Sequence, residues 1–181
     1  NWCRKNKVGL VHYSTDYVFN GQGSAPFVES DPTGPTNNYG QSKLAGEQAI
    51  TASDCAHWIF RTSWVYSARG KNFLNTMLRL AGTHPELKVV DDQVGAPTPA
   101  RVLADATATA LAVKGVTASQ MQTCQGIYHV APRGHVSWHG FAEAIMAHRQ
   151  SLTGLDSPPL RAIPTSEFPT PAARPLNSRL N

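Results

Sequence analysis

The first predicted strand of the chain is Val8-Gly9-Leu10-Val11-His12-Tyr13-Ser14. A short and mostly apolar run of this kind is typical of a strand buried in a parallel sheet. Thr15 and Asp16 follow directly, and the ligand crevice of an open α/β sheet lies beyond the carboxyl ends of its strands. Small polar residues at this place therefore indicate a binding site. An ordinary turn or cap after a strand is the alternative interpretation.

A tyrosine and a lysine, Tyr39 and Lys43, stand four positions apart at the start of a helical pattern that runs to about Ala52. Residues at this spacing lie on one face of a helix, so we expect the phenol and the ammonium to be neighbours. Tyrosine ordinarily titrates near ~10, and an ammonium about 4 Å away stabilises a phenolate by roughly 4 kcal/mol at an effective dielectric of ~20. The pair suits acid–base chemistry at neutral pH. A solvent-exposed surface pair is the alternative.

The rest of the chain alternates between predicted helices and strands. After a helix end at residues 1–7 and the first strand, we expect a loop Gly21–Asn37, a strand His57–Thr62, a loop Ser67–Lys71, a helix Asn72–Ala81, a strand Leu87–Val90, a helix Val102–Val113, a strand Ile127–Ala131 and a helix Trp138–Gln150. Helices that alternate with buried strands predict an α/β fold, the second half of a doubly wound parallel sheet.

The last segment, from Ser157, is rich in proline and has no clear periodicity. This composition is compatible with a disordered tail. Apolar residues recur within it, however, at Leu160, Ile163, Phe168 and Leu176. They favour an ordered segment that packs on the rest of the chain.

Composition and charge restrict the classes of partner. The chain has 181 residues, of which 41% are hydrophobic and 15% charged, and no apolar run approaches the ~20 residues of a membrane span. No secretory leader is recognisable either, so we expect a soluble protein without a membrane partner. The net charge is +4, but lysine and arginine are scattered, which argues against nucleic acid and suits an anionic nucleotide ligand.

Cysteine and histidine patterns give no sign of a metal site. The three cysteines, Cys3, Cys55 and Cys124, are odd in number and widely spaced, so neither a disulfide framework nor a zinc site is expected. This usage fits the reducing cytoplasm. The irregularly spaced histidines, His129, His135 and His139, are expected to be solvated or capping residues and not metal ligands.

Several separate motifs follow one another along the chain: Ser14-Thr15-Asp16-Tyr17-Val18-Phe19, Tyr39 with Lys43, Arg61-Thr62-Ser63-Trp64-Val65-Tyr66, Asp92-Gln93-Val94-Gly95-Ala96-Pro97-Thr98 and Pro169-Thr170-Pro171-Ala172 with Arg174-Pro175 and Asn177-Ser178. Together they resemble the extended short-chain dehydrogenase/reductases, and among these the dTDP-4-dehydrorhamnose reductase family. The resemblance spans nearly all of the chain. It implies a Rossmann-type sheet with a small substrate-binding lobe.

The resemblance also implies the catalytic roles. Tyr39 is expected to be the general acid that protonates a ketone oxygen as hydride arrives from a nicotinamide. Lys43 is expected to bind the nicotinamide ribose and stabilise the phenolate, and Thr15 to hold the sugar oxygen. These roles make chemical sense because carbonyl reduction develops negative charge on oxygen.

Further contacts follow from the same resemblance. Thr62 and Ser63 are expected to line the cofactor, together with Tyr39 and Lys43. The expected substrate contacts, besides Thr15, are Asp16, Tyr17 and Trp64. For Tyr17 and Trp64, packing in the core is the alternative, since large aromatic residues are often buried for that reason alone.

A dinucleotide-binding fold carries a Gly-rich turn after its first strand, where helix amides receive the pyrophosphate. The only similar cluster, Gly21-Gln22-Gly23, lies in a loop that continues to Ala25-Pro26 and opens no helix. We therefore expect the chain to be the middle and late part of a longer reductase. Residues 1–90 are expected to be the remaining part of the NAD(P)-binding domain, and residues 91–181 mainly the substrate lobe, with interleaved return strands and helices.

The expected activity is reduction of the 4-keto group of a dTDP-4-keto-6-deoxy-L-sugar by NADPH or NADH. The product would be dTDP-L-rhamnose, a precursor of cell-surface polysaccharides such as O-antigen. Two alternatives remain: a non-catalytic binding or regulatory module, or inactive fragment, of the same fold, and another 4-keto sugar-nucleotide reductase or epimerase.

The chain departs from the family at one position. Some members bind magnesium at a dimer contact through acidic residues, one of which lies shortly after Gly-Ala-Pro-Thr. Here Arg101 lies shortly after Thr98, and an arginine cannot ligate a divalent cation. We therefore expect no magnesium there. A homodimer is compatible with the resemblance, but this position argues against its metal-dependent form.

Overall fold

A computed structural model of the chain describes residues 2–115 and 117–181. The helices in these residues are α1 Trp2–Asn6, α2 Asn38–Ala52, α3 Phe73–Ala81, α4 Ala100–Lys114, α5 Ala118–Gln122 and α6 Trp138–Thr153. The strands are β1 Leu10–Thr15, β2 His57–Thr62, β3 Val65–Tyr66, β4 Leu87–Val90, β5 Val94–Gly95, β6 Thr98–Pro99, β7 Gly126–His129, β8 Val136–Ser137, β9 Leu160–Ile163 and β10 Asn177–Ser178. Asn1, expected in the first helix, lies outside the described residues.

The central feature is a parallel sheet with the strand order β1-β2-β7. All six residues of β2 are buried, as befits the middle strand. Thr15 at the end of β1 is in register with Thr62 at the end of β2. The polar residues after both strands therefore meet at one edge of the sheet, as the sequence predicted. The α/β class with parallel strands is confirmed.

Helix α2 is the crossover between β1 and β2. Asn37 caps it, because its side-chain oxygen accepts a hydrogen bond from the backbone N–H of Gly40 at 2.8 Å. Further along the helix, Glu47 accepts two hydrogen bonds from Arg61 of β2, at 3.0 Å from Nε and 2.7 Å from Nη2. Both side chains are almost fully buried. This ion pair fastens α2 to the middle strand.

A hydrophobic core lies between α3, α6, β4 and β9. Its fully buried members are Met77, Leu87, Val89, Ala142, Ile145 and Met146. Strand β9 pairs with β4 in parallel, and β10 pairs with β5. Both β9 and β10 belong to the proline-rich segment. The ordered alternative for this segment is therefore confirmed.

The bounds of strands β2 and β4 were predicted correctly, and those of the other long elements differ from the prediction by one to three residues. Helix α4 begins at Ala100, two residues early, because Pro99 fits the extended position before a helix. Helix α6 continues to Thr153, where Gly154 ends it in a left-handed conformation at φ 67°. The short strands and α5 were not predicted. In the described part of the chain, no helix is both long and apolar enough to cross a membrane.

The buried ion pair yields a prediction about stability. Glu47→Gln leaves the Arg61 guanidinium buried without a countercharge, and we expect it to lower the free energy of unfolding by about 3–5 kcal/mol. The double variant Glu47→Leu/Arg61→Met removes both charges and should recover most of that loss. Urea unfolding, monitored by circular dichroism, measures both.

Arg101→Gln is the matched control, because Arg101 forms an exposed pair with Asp105 at 4.0 Å. We expect it to change the free energy of unfolding by less than about 1 kcal/mol. A double variant that is no more stable than Glu47→Gln would contradict the charge-based explanation of the loss.

Candidate active site

A cleft of about 990 Å³ opens at the carboxyl ends of β1 and β2. Most of the residues predicted to form the site line it: Thr15, Asp16, Tyr17, Tyr39, Lys43, Thr62 and Trp64. The sheet brings Thr15 and Thr62 together, and α2 brings Tyr39 and Lys43. The sequence-based grouping thus corresponds to one concave surface.

Tyr39 lies in the first turn of α2, and its side chain is 55% exposed. Its ring meets the edge of the Tyr17 ring, with 5.6 Å between the centroids. The next residue, Gly40, lies so close to Tyr17 that a Cβ there would collide with the Tyr17 carbonyl oxygen. The start of α2 is thereby held against the turn that follows β1, with the phenol on the cleft.

Lys43 extends from α2 over the end of β1. Its Nζ donates to the carbonyl oxygen of Tyr13 at 2.6 Å and lies 3.5 Å from Nε2 of His12. Burial, together with the Lys43 ammonium, lowers the pKa of His12, while Glu47 acts in the opposite direction. The lysine is therefore anchored by the backbone and carries its charge into the cleft.

Thr15 and Asp16 form the turn after β1. The Thr15 hydroxyl donates to Oδ1 of Asp16 at 2.9 Å and accepts from the backbone N–H of Tyr17 at 3.2 Å. Asp16 is only 4% exposed, and this burial raises its pKa to about 6, an effect that its hydrogen bond from Thr15 partly offsets. The hydrogen bond from Thr15 must be exchanged before its hydroxyl can donate to a ligand.

Three buried polar atoms at the cleft have no hydrogen-bond partner within the described residues: Ser14 Oγ, Asp16 Oδ2 and Thr62 Oγ1. Buried polar atoms are normally paired, so unpaired ones at a cleft indicate a polar ligand. Their residues line the same cleft as Lys43, at the edge where α/β sheets bind nucleotides. These groups fit the polar ribose and amide of a nicotinamide nucleotide.

Ser63 and Trp64 differ in their placement. Ser63 is fully buried, and its hydroxyl donates to the carbonyl oxygen of Ala96 at 3.0 Å, so it is not among the residues that line the cleft. This placement does not support the expected cofactor contact. Trp64 lines the cleft with a half-buried indole and has a left-handed backbone, with φ 48°.

Among the lining residues that sequence reasoning did not assign to the site are Trp138 and Arg174. Both also line a second cavity of about 460 Å³, next to the core between α3 and α6. Among residues 2–115 and 117–181, no carboxylate lies within ion-pair distance of Arg174. Arg174 belongs to a family motif, but only the fold shows that this part of the chain reaches the cleft. No local pattern distinguished Trp138 from a core residue.

Asn37 connects the proline-rich segment to the start of helix α2. While its side-chain oxygen caps α2, its Nδ2 donates to the carbonyl oxygen of Ala173 at 2.8 Å. The residue before Arg174 is thus fixed to the start of the helix that carries Tyr39. One amide side chain links the two walls of the cleft.

Potential metal ligands are scattered. No group of three or more His, Cys, Asp or Glu side chains in the described ranges could hold a metal ion. His129 packs edge-on against Phe19, with ring centroids 5.7 Å apart, and His139 lies 3.6 Å from Glu143 on the same helix. Cys3, Cys55 and Cys124 are free thiols.

A family model described as the RmlD substrate binding domain matches residues 1–181. The chain belongs to this family. The dTDP-4-dehydrorhamnose reductase of Burkholderia thailandensis is 51% identical over 177 residues, which cover 95% of this chain and 59% of that protein. The resemblance inferred from the motifs is confirmed.

Two solved structures are similar to the chain over almost all of it. The dTDP-4-dehydrorhamnose reductase of Clostridium acetobutylicum superposes with a TM-score of 0.86 at 37% identity, covering 99% of this chain and 59% of that one. The Bacillus anthracis reductase, solved in complex with NADP, superposes with a TM-score of 0.82 at 35% identity. The match covers 96% of this chain and 57% of that one. The chain thus spans less than two thirds of the length of these relatives.

The contact between Gly40 and Tyr17 yields a prediction with an internal control. In Gly40→Ala the new methyl group would collide with backbone and lie 2.9 Å from Cβ of Pro35, so we expect a loss of about 1–3 kcal/mol in the free energy of unfolding. In Gly46→Ala, on the same helix, the nearest atom is His12 Nε2 at 3.9 Å, and we expect a gain of up to about 1 kcal/mol. Equal effects of the two substitutions in thermal or urea unfolding would contradict this close packing.

The buried carboxyl of Asp16 yields a prediction about pH. Its folded-state pKa of about 6 lies above the ordinary value of 3.8, so the native state binds the proton more tightly and loses stability as pH rises through this range. Asp16→Asn abolishes the titration. Relative to the wild type, we expect the free energy of unfolding of this variant to rise by about 3 kcal/mol as the pH increases from about 4 to about 7.

Urea unfolding at a series of pH values measures the difference, and Asp105→Asn, which removes an exposed carboxyl, is the control. Parallel pH profiles for the wild type and Asp16→Asn would show that the Asp16 carboxyl titrates normally.

Proposed function

We propose that this chain carries the catalytic and substrate-binding residues of an NADPH- or NADH-dependent reductase that converts a dTDP-4-keto-6-deoxy-L-sugar to dTDP-L-rhamnose. The observation that carries the proposal is the meeting of Tyr39, Lys43 and Thr15 on one cleft at the carboxyl ends of parallel strands. The names of the relatives support the substrate, and the relative solved with NADP favours NADPH.

A bound nicotinamide supplies the hydride in this proposal. Negative charge then develops on the ketone oxygen, and Tyr39 donates the proton from its phenol to that oxygen. Lys43 stabilises the resulting phenolate by charge, and its ammonium also binds the nicotinamide ribose. Thr15 orients the ketone by hydrogen bonding. Its hydroxyl becomes available when a ligand group replaces it as donor to Asp16.

Binding of the cofactor also uses the hydroxyls of Thr62 and Ser14. Both are buried, lie at the cleft and have no protein partner among the described residues. With a nicotinamide nucleotide bound, these hydroxyls would gain the hydrogen bonds that they lack, which would offset the cost of their burial. Ser63 has no role of this kind in the proposal, since its hydroxyl is bonded to Ala96.

In this proposal the sugar nucleotide contacts a different set of cleft residues from the cofactor. Asp16 accepts a hydrogen bond from a sugar hydroxyl through its unpaired Oδ2, and Tyr17 and Trp64 pack against the sugar ring. We assign the diphosphate to Arg174, an exposed cation at the cleft that has no carboxylate partner in the described chain.

The division of labour along the chain is part of the proposal. Residues 1–90 supply the Tyr39 and Lys43 pair and most of the parallel sheet, and residues 91–181 supply mainly the substrate lobe. Strand β7 returns from the second part to the sheet of the first. We further propose a cytoplasmic location, which the three free thiols support.

Titration of the purified chain with NADPH, alone and with the dTDP-keto-sugar, tests the proposal. Nicotinamide fluorescence reports binding, and loss of nicotinamide absorbance reports turnover. Binding and oxidation together support the reductase. Binding of dTDP-L-rhamnose without NADPH binding would instead favour a non-catalytic substrate-binding module. A folded chain that binds neither ligand would contradict the proposal.

The role of Tyr39 is tested in a preparation that oxidises NADPH with the dTDP-keto-sugar. Tyr39→Phe removes the proton donor and keeps the ring, so we expect kcat to fall by at least about 100-fold. Binding of dTDP-L-rhamnose should change by less than about threefold. Tyr66→Phe is the control, because Tyr66 lies in β3 outside the cleft lining and packs on Phe141 at 5.3 Å between centroids. Full activity of Tyr39→Phe would exclude Tyr39 as the acid.

A further inference from the structure

Trp64 has an unusual backbone conformation for a bulky residue. Its φ of 48° lies in the left-handed region, which residues with a Cβ rarely adopt. Such a conformation is strained and persists only where the surroundings impose it. The side chain of Trp64 must therefore be held by specific neighbours.

The first neighbour is Trp138, the first residue of α6. Its indole lies parallel to that of Trp64, with 3.5 Å between the ring centroids and 9° between the planes. Phe73 in turn packs against Trp138 at 4.5 Å. Trp138 is thus supported from α3 and covers one face of Trp64.

The second neighbour is Gly95 in β5. A Cβ at this position would lie 2.6 Å from Cε2 of Trp64 and 2.9 Å from both Cζ2 and Nε1. The absence of a side chain therefore lets the indole rest on the backbone of β5. This strand is fixed on both sides, because it pairs with β8 and β10.

We propose that Trp138 is a positioning residue for sugar recognition, which it achieves by stacking on Trp64 and holding that indole, over Gly95, in one orientation. The proposal rests on the proposed function in one respect, that Trp64 contacts the sugar. The stack leaves Trp64 part of the cleft lining with its torsions fixed. A rigid aromatic surface loses little conformational freedom when an apolar face of a sugar packs on it.

Trp138 also borders both cavities, so a role in simple packing must be distinguished from positioning. Packing requires only an apolar side chain of sufficient size, whereas stacking requires a flat ring. Trp138→Phe retains a ring, and Trp138→Leu retains apolar volume without one. The pair of substitutions separates the two roles.

The first experiment needs no ligand. Indole N–H resonances of the ¹⁵N-labelled chain are recorded by NMR and assigned by substitution. We expect the resonance of Trp64 to lie at a ring-current-shifted position in the wild type and in Trp138→Phe. In Trp138→Leu and in Gly95→Ala it should move toward the position of an exposed indole. An unchanged Trp64 resonance in Trp138→Leu would overturn the positioning role, whatever the chain binds.

The second experiment compares the affinities of dTDP-L-rhamnose and dTDP by calorimetry. The ratio of the two affinities isolates the contribution of the sugar. We expect Trp138→Leu to reduce this ratio by about five- to tenfold, Trp138→Phe to preserve it, and dTDP binding to remain within about twofold. An equal loss for both ligands would overturn the proposal.

A double-mutant cycle completes the test. If Trp138 acts through Trp64, then Trp64→Leu/Trp138→Leu should have the same ratio as Trp64→Leu alone. Additive losses would show that Trp138 contributes independently and would overturn the positioning role. A wild-type chain that binds neither ligand would contradict the proposed function, while the NMR result would still decide the stacking role of Trp138.

Discussion

The position of the candidate catalytic residues depends on the buried ion pair between Arg61 and Glu47. Helix α2 buries little apolar surface: its fully buried residues are Gly40 and Glu47, and Leu44 packs partly buried against Val18, Phe19 and Leu180. A bidentate guanidinium–carboxylate contact is directional, and it therefore fixes the rotation of the helix as well as its distance from the sheet. The Arg61 guanidinium is itself held over the ring of Phe19, 5.0 Å from its centroid. The ion pair thus positions α2, whereas apolar packing positions α3 and α6.

Several energetically unfavourable features are concentrated at the cleft. Ser14, Asp16 and Thr62 have buried polar atoms that lack partners in the described chain, and the left-handed Trp64 adds backbone strain. Features of this kind lower stability and are normally removed unless a function retains them. Their concentration at the carboxyl edge of one sheet is consistent with a site that is completed by its ligands.

The features predicted from the sequence are the longer helices and strands, which follow from periodicity, and the site residues that belong to contiguous motifs. The sequence did not single out Glu47, because a glutamate in a helix is ordinarily solvated, and only the arrival of β2 buries it. Ser63 was expected beside Thr62, but successive residues of an extended chain point to opposite sides, so only one of the two reaches the cleft. The stack of Trp64 on Trp138 joins distant segments, and no local pattern encodes it.

In the ligand-free cleft, hydrogen bonds within the protein occupy groups that the proposed reaction needs. The Thr15 hydroxyl is directed to Asp16, and the Lys43 ammonium to the Tyr13 carbonyl. A ligand hydroxyl that donates to Asp16 would stabilise its carboxylate and oppose the burial that raises its pKa to about 6. A ligand donor that takes the place of Thr15 at Oδ1 would also free the Thr15 hydroxyl to turn toward a ketone oxygen near Tyr39. Substrate binding and the assembly of the proton donors are thereby coupled through one buried carboxyl group.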